Sequence, residues 1–556
     1  MEASNVSLAN GVERGTGIFD DVLTGRVPVT FAVIGVTLIV LAILRYASPT
    51  LDPKEPPLLK SRVPLIGHII GIIQHQTTYH KILSDNHASY KCATLPMLNG
   101  KLYVVYDPYL VQQVLRNNIA SFDPFQEKFA QKVFDLNQVT YDKIRLNPKI
   151  FADFTDAIHR SFRTESLAKM NLRWLTDFAA KIDPISQRKP VIDPENAGQE
   201  KIVEQGAVEV ENLFLWCRDF MTLATTTALY GDHDPFVKDK SLIEASWVYE
   251  EAVPYFLLSL FPSLTMPKSY KARKQLQDTF SKYYTAGHHI SDPTTATVTL
   301  NRANALTEYG FTGNEIGLLE CILPVVSTLN AIPTLYWLLL FVLPQPTLME
   351  KLRAEIAAFV DASQPDSKGA RIITMDISRF ETALPLLVSC YRETLRLSNH
   401  AVCNRHMMED LTITDQDGRS YLLKKGVDIQ LPAGVTHRHT DVWGSDVSQF
   451  RADRFVPSTS KATDADRVRK LAYMPFGGGR HLCPGRNFAF AEIIGSAAVL
   501  LLGFDIKPLG MSFEDVQMRG PRLSSGTVKP VDSGKGLGAR VTPREEFANV
   551  AWRFRA

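Results

Sequence analysis

The ten residues Phe476 to Gly485 read FGGGRHLCPG, and they constrain this chain more than any other stretch. Three successive glycines let backbone pass where a Cβ would obstruct it. Pro484 suits the first turn of a helix, and the following text, NFAFAEIIGSAAVLLL, continues helically. Cys483 is thereby set near a helix N-terminus, where the dipole favours a thiolate. A metal-ligating cysteine needs this setting: a negative sulfur, small neighbours and backbone amides aimed at it. Taken alone, a cysteine such as Cys483 is more often a buried structural thiol, and the glycine context reverses that. The other five cysteines, Cys92, Cys217, Cys321, Cys390 and Cys403, form no CxxC pair, so neither a zinc site nor a disulfide scaffold is signalled.

Upstream, Tyr391 to Leu397 reads YRETLRL. Glu393 and Arg396 are three apart and share one helix face. Such a pair is common and usually only solvated. A third charge, Arg454, follows in FRADRF at 450–455. The three charges and the glycine-cysteine loop together resemble the cytochrome P450 family, whose haem-ligand signature is FxxGx(R/H)xCxG. Phe476, Gly479, His481, Cys483 and Gly485 fill its positions, Glu393 and Arg396 match its ExxR, and Arg454 matches its PERF-like segment.

The resemblance implies a mainly α fold with a minor β part, one haem domain spanning 63–556. Length alone suggests roughly three or four domains, and one domain of this family absorbs the whole length. It implies haem b held by Cys483 as axial iron ligand, with Phe476 packed near it and His481 facing a propionate. Arg405, in AVCNRHMMEDLTI, matches a second propionate contact, and Arg160 and Arg163 are candidates for a third. Glu393, Arg396 and Arg454 lock the core on the haem side. The partners implied are NADPH–cytochrome P450 reductase, which delivers NADPH electrons, then O2 and a hydrophobic small-molecule substrate. Arg467, Arg469, Lys470, Arg480 and Arg486 surround the cysteine loop and are the expected docking face, or else a solvated loop. Substrate contacts are expected near 102–125, 256–261, 401–403 and 524–528.

The chain departs from the family at the distal helix, which usually carries an acid-alcohol pair. Here VVSTLNAIPTLYWL places Asn330 where the acid is expected and Ala331 where the threonine is expected, followed by Pro333. This text is similar to the sterol 7α-hydroxylase and prostacyclin synthase branch. Asn330, with Ser327 or Thr328, is the candidate set for organising a water relay in a monooxygenase. The alternative is a reductase-independent isomerase or dehydratase; more remote is a non-catalytic haem- or sterol-binding membrane protein. A break at Pro333 frees a backbone carbonyl that can hold a water. The closest overall resemblance is to fungal cytochrome P450s of secondary metabolism, which points by analogy to terpenoid, steroid-like or alkaloid substrates.

Val27 to Leu44 has no charged residue over 18 positions, about 27 Å as helix, close to the hydrocarbon core of a bilayer. We expect a lumenal tail at 1–26, a transmembrane anchor at 27–46 and a Pro-rich hinge at 47–62. Two basic residues precede the span (Arg14, Arg26) and four follow it (Arg45, Lys54, Lys60, Arg62). That bias places the catalytic domain in the cytosol, as a single-pass protein of the endoplasmic reticulum membrane. Asn5 heads a glycosylation sequon, a weak signal on the lumenal side. A second uncharged run, 321–349, contains Asn330, Pro333, Pro344 and Pro346 and reads as a buried core helix.

Composition matters mainly for what it excludes. With 45% hydrophobic and 22% charged residues, the chain is neither largely disordered nor collagen-like. A net charge of +2 gives no electrostatic case for nucleic acid. LTIT at 411–414, a turn at 415–418 and SYLLKKGVDIQLP carry strand signals. GKGLG at 534–538 lacks the P-loop pattern and reads as a turn.

Overall fold

The computed structural model describes residues 34–38, 51–61, 66–98, 100–187, 200–202, 207–367, 369–457, 463–531 and 534–556. Within the expected anchor, residues 34–38 are helical. The rest of 27–46, the tail at 1–26 and the hinge residues 47–50 and 62 lie outside the described residues.

Helices dominate. In chain order, those that matter for the site are α1 (Pro108–Leu115), α2 (Ile150–Ser161), α3 (Thr164–Ser186), α4 (Leu213–Tyr230), α5 (Ser241–Phe256), α6 (Thr297–Glu308), α7 (Gly313–Glu320), α8 (Ile322–Thr328), α9 (Ala331–Val342), α10 (Pro385–Ser398) and α11 (Arg486–Gly503). Local chemistry sets several of their starts. Asp107 accepts the Tyr109 and Leu110 amides ahead of α1, with Pro108 at its first position, where the missing N–H costs nothing. Thr312 and Glu315 form a reciprocal capping box at α7, satisfying two orphan donors.

The strand content is minor, as expected. A five-stranded sheet contains β1 (Cys92–Met97), β2 (Gly100–Val105), β3 (Ala120–Ser121), β4 (Val402–Met407) and β7 (Asp428–Pro432), in the order β1-β2-β7-β4-β3. Between β4 and β7, Leu411–Thr414 and Ser420–Leu423 form an antiparallel hairpin, β5 and β6, turned at Gly418 with φ +81. β5 and β6 fall on the strand signals expected from 411–423, and the β1–β2 hairpin is an addition to them.

The core is built by α3, α4, α9, α10 and α11. Trp174 of α3 is fully buried, and its indole N–H donates to Thr225 Oγ1 of α4 at 2.9 Å. Gly495 lets α11 approach α3, since a Cβ there would lie 2.5 Å from Leu175 Cδ2. Two described stretches, Gly313–Val342 and Arg486–Gly503, are long and apolar enough to cross a membrane, yet 78% of the most apolar window of each is buried inside the protein. The uncharged run after Cys321 therefore crosses the protein's own core. It is broken between α8 and α9 at Leu329 and Asn330, because Pro333 cannot return a hydrogen bond to the Leu329 carbonyl.

Candidate active site

The cysteine loop is closed by the Cys483 N–H, which donates to the Phe476 carbonyl at 3.0 Å. Helix α11 starts three residues later, and the Arg486 guanidinium donates to the Cys483 carbonyl at 3.0 Å. Burial pushes the Cys483 thiol up; the amides of Gly485 and Arg486 and the Arg486 charge draw it back. Amides do reach the sulfur, but from the helix start. The glycine triplet serves another purpose. Gly479 has φ +65, and a Cβ on it would lie 1.7 Å from the Leu115 carbonyl oxygen at the end of α1; one on Gly478 would lie 2.8 Å from Leu115 Cδ1. These two glycines seat the loop on α1. The glycine beside the sulfur is Gly485, whose added Cβ would stand 4.0 Å from Sγ.

Two polar groups flank the loop. His481 Nε2 accepts the Phe122 amide at 3.3 Å. Burial first, then the positive charge of Arg405, brings its pKa down to about 4. The ring is neutral at pH 7, and with Nε2 accepting, its proton sits on Nδ1, free to donate. Arg405 is 4% exposed. It donates to the carbonyls of Asn404 at 2.8 Å and Gly478 at 3.1 Å, and burial lowers its pKa. Among the described residues no carboxylate pairs with it. A buried guanidinium without an anion is costly, so this site suits an anionic group. A thiol under helix-start amides beside a buried, carboxylate-free arginine fits a haem and its propionate. Arg160 and Arg163 do not join them: both are exposed. The α2 residue that reaches the site is the neighbouring His159.

Behind the loop, Glu393 and Arg396 are both fully buried. Arg396 Nε and Nη2 each meet Glu393 at 2.8 Å, and Nη1 donates to the carbonyls of His437 and Val447 at 2.9 and 2.7 Å. Arg454 Nε reaches Glu393 Oε1 at 3.0 Å and its Nη1 reaches the Trp443 carbonyl at 3.0 Å. The charges come together as read from the sequence, and they tie α10 to the segment 437–454.

A cavity of about 480 Å3 borders the loop at His481, Leu482 and Pro484. One face of α2 lines it through Phe151, Phe154, Thr155, Ile158 and His159, the i, i+3, i+4, i+7, i+8 pattern of a helix face. From α8 come Ile322, Val325 and Val326, with Leu329 just beyond. Val326 keeps 51% of its surface exposed on this internal helix because it faces the cavity. Phe122 and Ser524 of the expected contact segments line it, whereas 256–261 and 401–403 do not; α5 contributes Glu250 and Val253 instead.

Ser327, Thr328 and Asn330 do not line this cavity. The Thr328 hydroxyl donates to the Pro324 carbonyl at 2.9 Å. Asn330 Oδ1 accepts the amides of Gly526 and Thr527, both at 2.9 Å. The Asn330 carbonyl is also taken, by the Thr334 hydroxyl at 2.6 Å. The Ser327 side chain makes no hydrogen bond among the described residues. In the basic cluster, Arg467 and Arg469 are paired with Asp464 and Asp466 of their own helix, and Arg486 holds the Cys483 carbonyl, leaving Lys470 and Arg480 as exposed charges without a carboxylate partner among the described residues.

Comparison with known proteins agrees with this geometry. Residues 234–530 match the family model described as Cytochrome P450. A cytochrome P450 monooxygenase of Gibberella zeae is 34% identical over 92% of this chain and 93% of its own length. The cytochrome P450 monooxygenase nodJ of Hypoxylon pulicicidum is 28% identical over 91% and 93%. The human 7-alpha-hydroxycholest-4-en-3-one 12-alpha-hydroxylase is 24% identical over 86% and 91%.

Proposed function

The chain belongs to the cytochrome P450 family, and on that premise we propose that it hydroxylates, or otherwise oxidises, a hydrophobic small molecule of terpenoid, steroid-like or alkaloid type in secondary metabolism. Haem held by a cysteine thiolate supplies, in this family, the reductive activation of O2 with NADPH-derived electrons. The observation that carries the reading is Cys483 itself: one thiol under the Gly485 and Arg486 amides, at the edge of a largely apolar cavity.

The chain's own residues divide the remaining work. Cys483 would hold the haem iron through its thiolate. Arg405 and His481 Nδ1 would hold the propionates of a bound haem. The phenylalanines of α2 and the aliphatic face of α8 exclude water and take up the apolar body of the substrate. Glu393, Arg396 and Arg454 fix the loop's support from behind. The Asn330 side-chain oxygen holds the 524–528 loop against the broken helix, and since Ser327 and Thr328 do not line the cavity either, a proton route there falls to a hydroxyl of the substrate.

The same reading makes the protein a single-pass resident of the endoplasmic reticulum membrane, its haem domain cytosolic and served by the NADPH-dependent reductase. The apolar run 27–44, the flanking charge bias and six unpaired cysteines support it, since thiols stay reduced on that side. Lys470 and Arg480 are its remaining docking charges.

The test is 18O2 feeding of the host with and without the gene, read by mass spectrometry. A gene-dependent product carrying heavy oxygen is expected. An unlabelled gene-dependent product that forms without reductase overturns the monooxygenase reading in favour of isomerase or dehydratase chemistry. Substrate-induced spectral shifts with no product favour a binding protein. Cys483→Ala removes the red-shifted carbon monoxide absorption if the ligand is correctly assigned; its persistence overturns that assignment.

A further inference from the structure

Three charged side chains stand in the wall of the cavity, and they differ in what they lack. Arg302 and Glu320 satisfy one another: Nε and Nη2 meet the two carboxylate oxygens at 2.6 and 2.9 Å, and the guanidinium lies 4.5 Å over the Phe154 ring. That pair asks nothing of a ligand. Glu250 is different. It is 2% exposed, lines the cavity from α5, and gives Oε2 to Lys529 Nζ at 2.5 Å. Its other oxygen, Oε1, is buried and has no hydrogen-bond partner. A carboxyl oxygen left unpaired away from water is expensive, and folding alone gains nothing from it.

The surroundings fix this carboxylate. Lys529 is itself 10% exposed, stands 4.2 Å over the Trp247 ring and lies 3.6 Å from Glu251. Glu251 is in turn held by Arg519 at 2.7 Å. The Glu250 side chain is therefore braced through Oε2, and Oε1 is the carboxyl oxygen that stays without a partner in a residue lining the cavity. Ser524, in the loop that leads to Lys529, borders the same cavity and makes no hydrogen bond among the described residues.

We propose that Glu250 is a specificity-determining residue: its Oε1 accepts a hydrogen bond from a hydroxyl, or another O–H or N–H donor, carried by an otherwise apolar polycyclic substrate. The proposal rests on the monooxygenase reading above and narrows its substrate class to scaffolds already bearing a donor. The reaction that supplies the substrate then leaves a free hydroxyl or amine in place. The donor also fixes register: once it is bound at Glu250, one region of a rigid scaffold is held in a set position for oxidation.

The test uses purified, haem-loaded protein and titrates the Soret band with matched probes: terpenoid and steroid alcohols, each paired with its O-methyl ether, which keeps the oxygen but loses the donor. Wild type is expected to bind the alcohol of at least one pair about tenfold or more tightly than the ether, the usual effect of a hydrogen bond to a charged group. Glu250→Leu removes that preference. Because Glu250→Leu strands a buried lysine, the double variant Glu250→Leu, Lys529→Met is measured beside it, its fold checked by the carbon monoxide band. Ethers bound as tightly as alcohols by wild type, or a preference that survives in the double variant, overturn the proposal while the monooxygenase reading stands. If no probe of any pair shifts the band, the terpenoid or steroid reading of the cavity fails, and the proposal falls with it.

Discussion

The side-chain oxygen of Asn330 accepts the Thr527 amide at 2.9 Å, and the neighbouring Gly526 amide at the same distance. One side chain thus pins a loop nearly two hundred residues away to the break between α8 and α9. Gly526 is held on its other side too, its carbonyl accepting the His400 amide at 2.7 Å. Asn330→Ala strands two amides, one of them on fully buried Thr527. It is expected to cost about 2–4 kcal/mol, read by chemical denaturation. Asn330→Asp keeps an acceptor and retains most of that stability. Equal stability of the alanine variant and wild type would refute the latch.

The glycines of the cysteine loop have unequal tolerance. Gly479→Ala drives a Cβ into a backbone oxygen at 1.7 Å, at a φ of +65 that disfavours any side chain. Loss of haem incorporation is expected, measured as the ratio of Soret to protein absorbance. Gly485→Ala makes only 4.0 Å contacts with Cys483 Sγ and Phe162. That variant should fold and load haem, with a displaced Soret band as a sign of the methyl beside the sulfur. A Gly479→Ala protein with full haem content would contradict this assignment.

Arg396 makes five hydrogen bonds from a fully buried position, two to Glu393 and three to the carbonyls of His437, Val447 and Gln449. Lysine offers one nitrogen and no fork. Arg396→Lys is expected to leave Glu393 partly uncompensated at a cost of about 3–5 kcal/mol. Little protein with a carbon monoxide band should be recovered from it. Wild-type yield and stability would show that the fork contributes little.

The parts of the site legible in the sequence are those where chemistry allows few residue types. A thiol at a helix start, glycines at a close backbone approach, and three charges that neutralise one another are recognisable from spacing. The β5–β6 hairpin was equally plain, from two short apolar runs around Asp415 and Gly418. The α2 face carries a readable signal of its own: Phe151, Phe154, Thr155, Ile158 and His159 follow helical period, and that period turns Arg160 outward. Other features leave no local trace. Glu250 and Lys529 are 279 positions apart and Asn330 and Thr527 are 197 apart, so only the fold pairs them. Gly478 and Gly479 are expected to bring backbone close to the sulfur, but what they approach is Leu115, which no motif names.

His437 makes stability depend on pH. The side chain is fully buried, and its Nε2 accepts the Met474 amide at 3.0 Å. Burial first, and then the charges of Arg396 and Arg438, hold its pKa down to about 3. The unfolded chain protonates this imidazole near pH 6.5. Between those values the unfolded state binds the extra proton, so the stabilisation is complete above about pH 6.5 and declines as pH falls towards 3. The slope for one such group is about 1.4 kcal/mol per pH unit. His437→Gln keeps an acceptor for Met474 but does not titrate. Urea unfolding at pH 7, 6, 5 and 4 is expected to show wild type losing stability more steeply than the variant, by about one proton's worth of slope. Parallel pH profiles would mean that His437 is protonated in the folded protein as readily as in the unfolded chain.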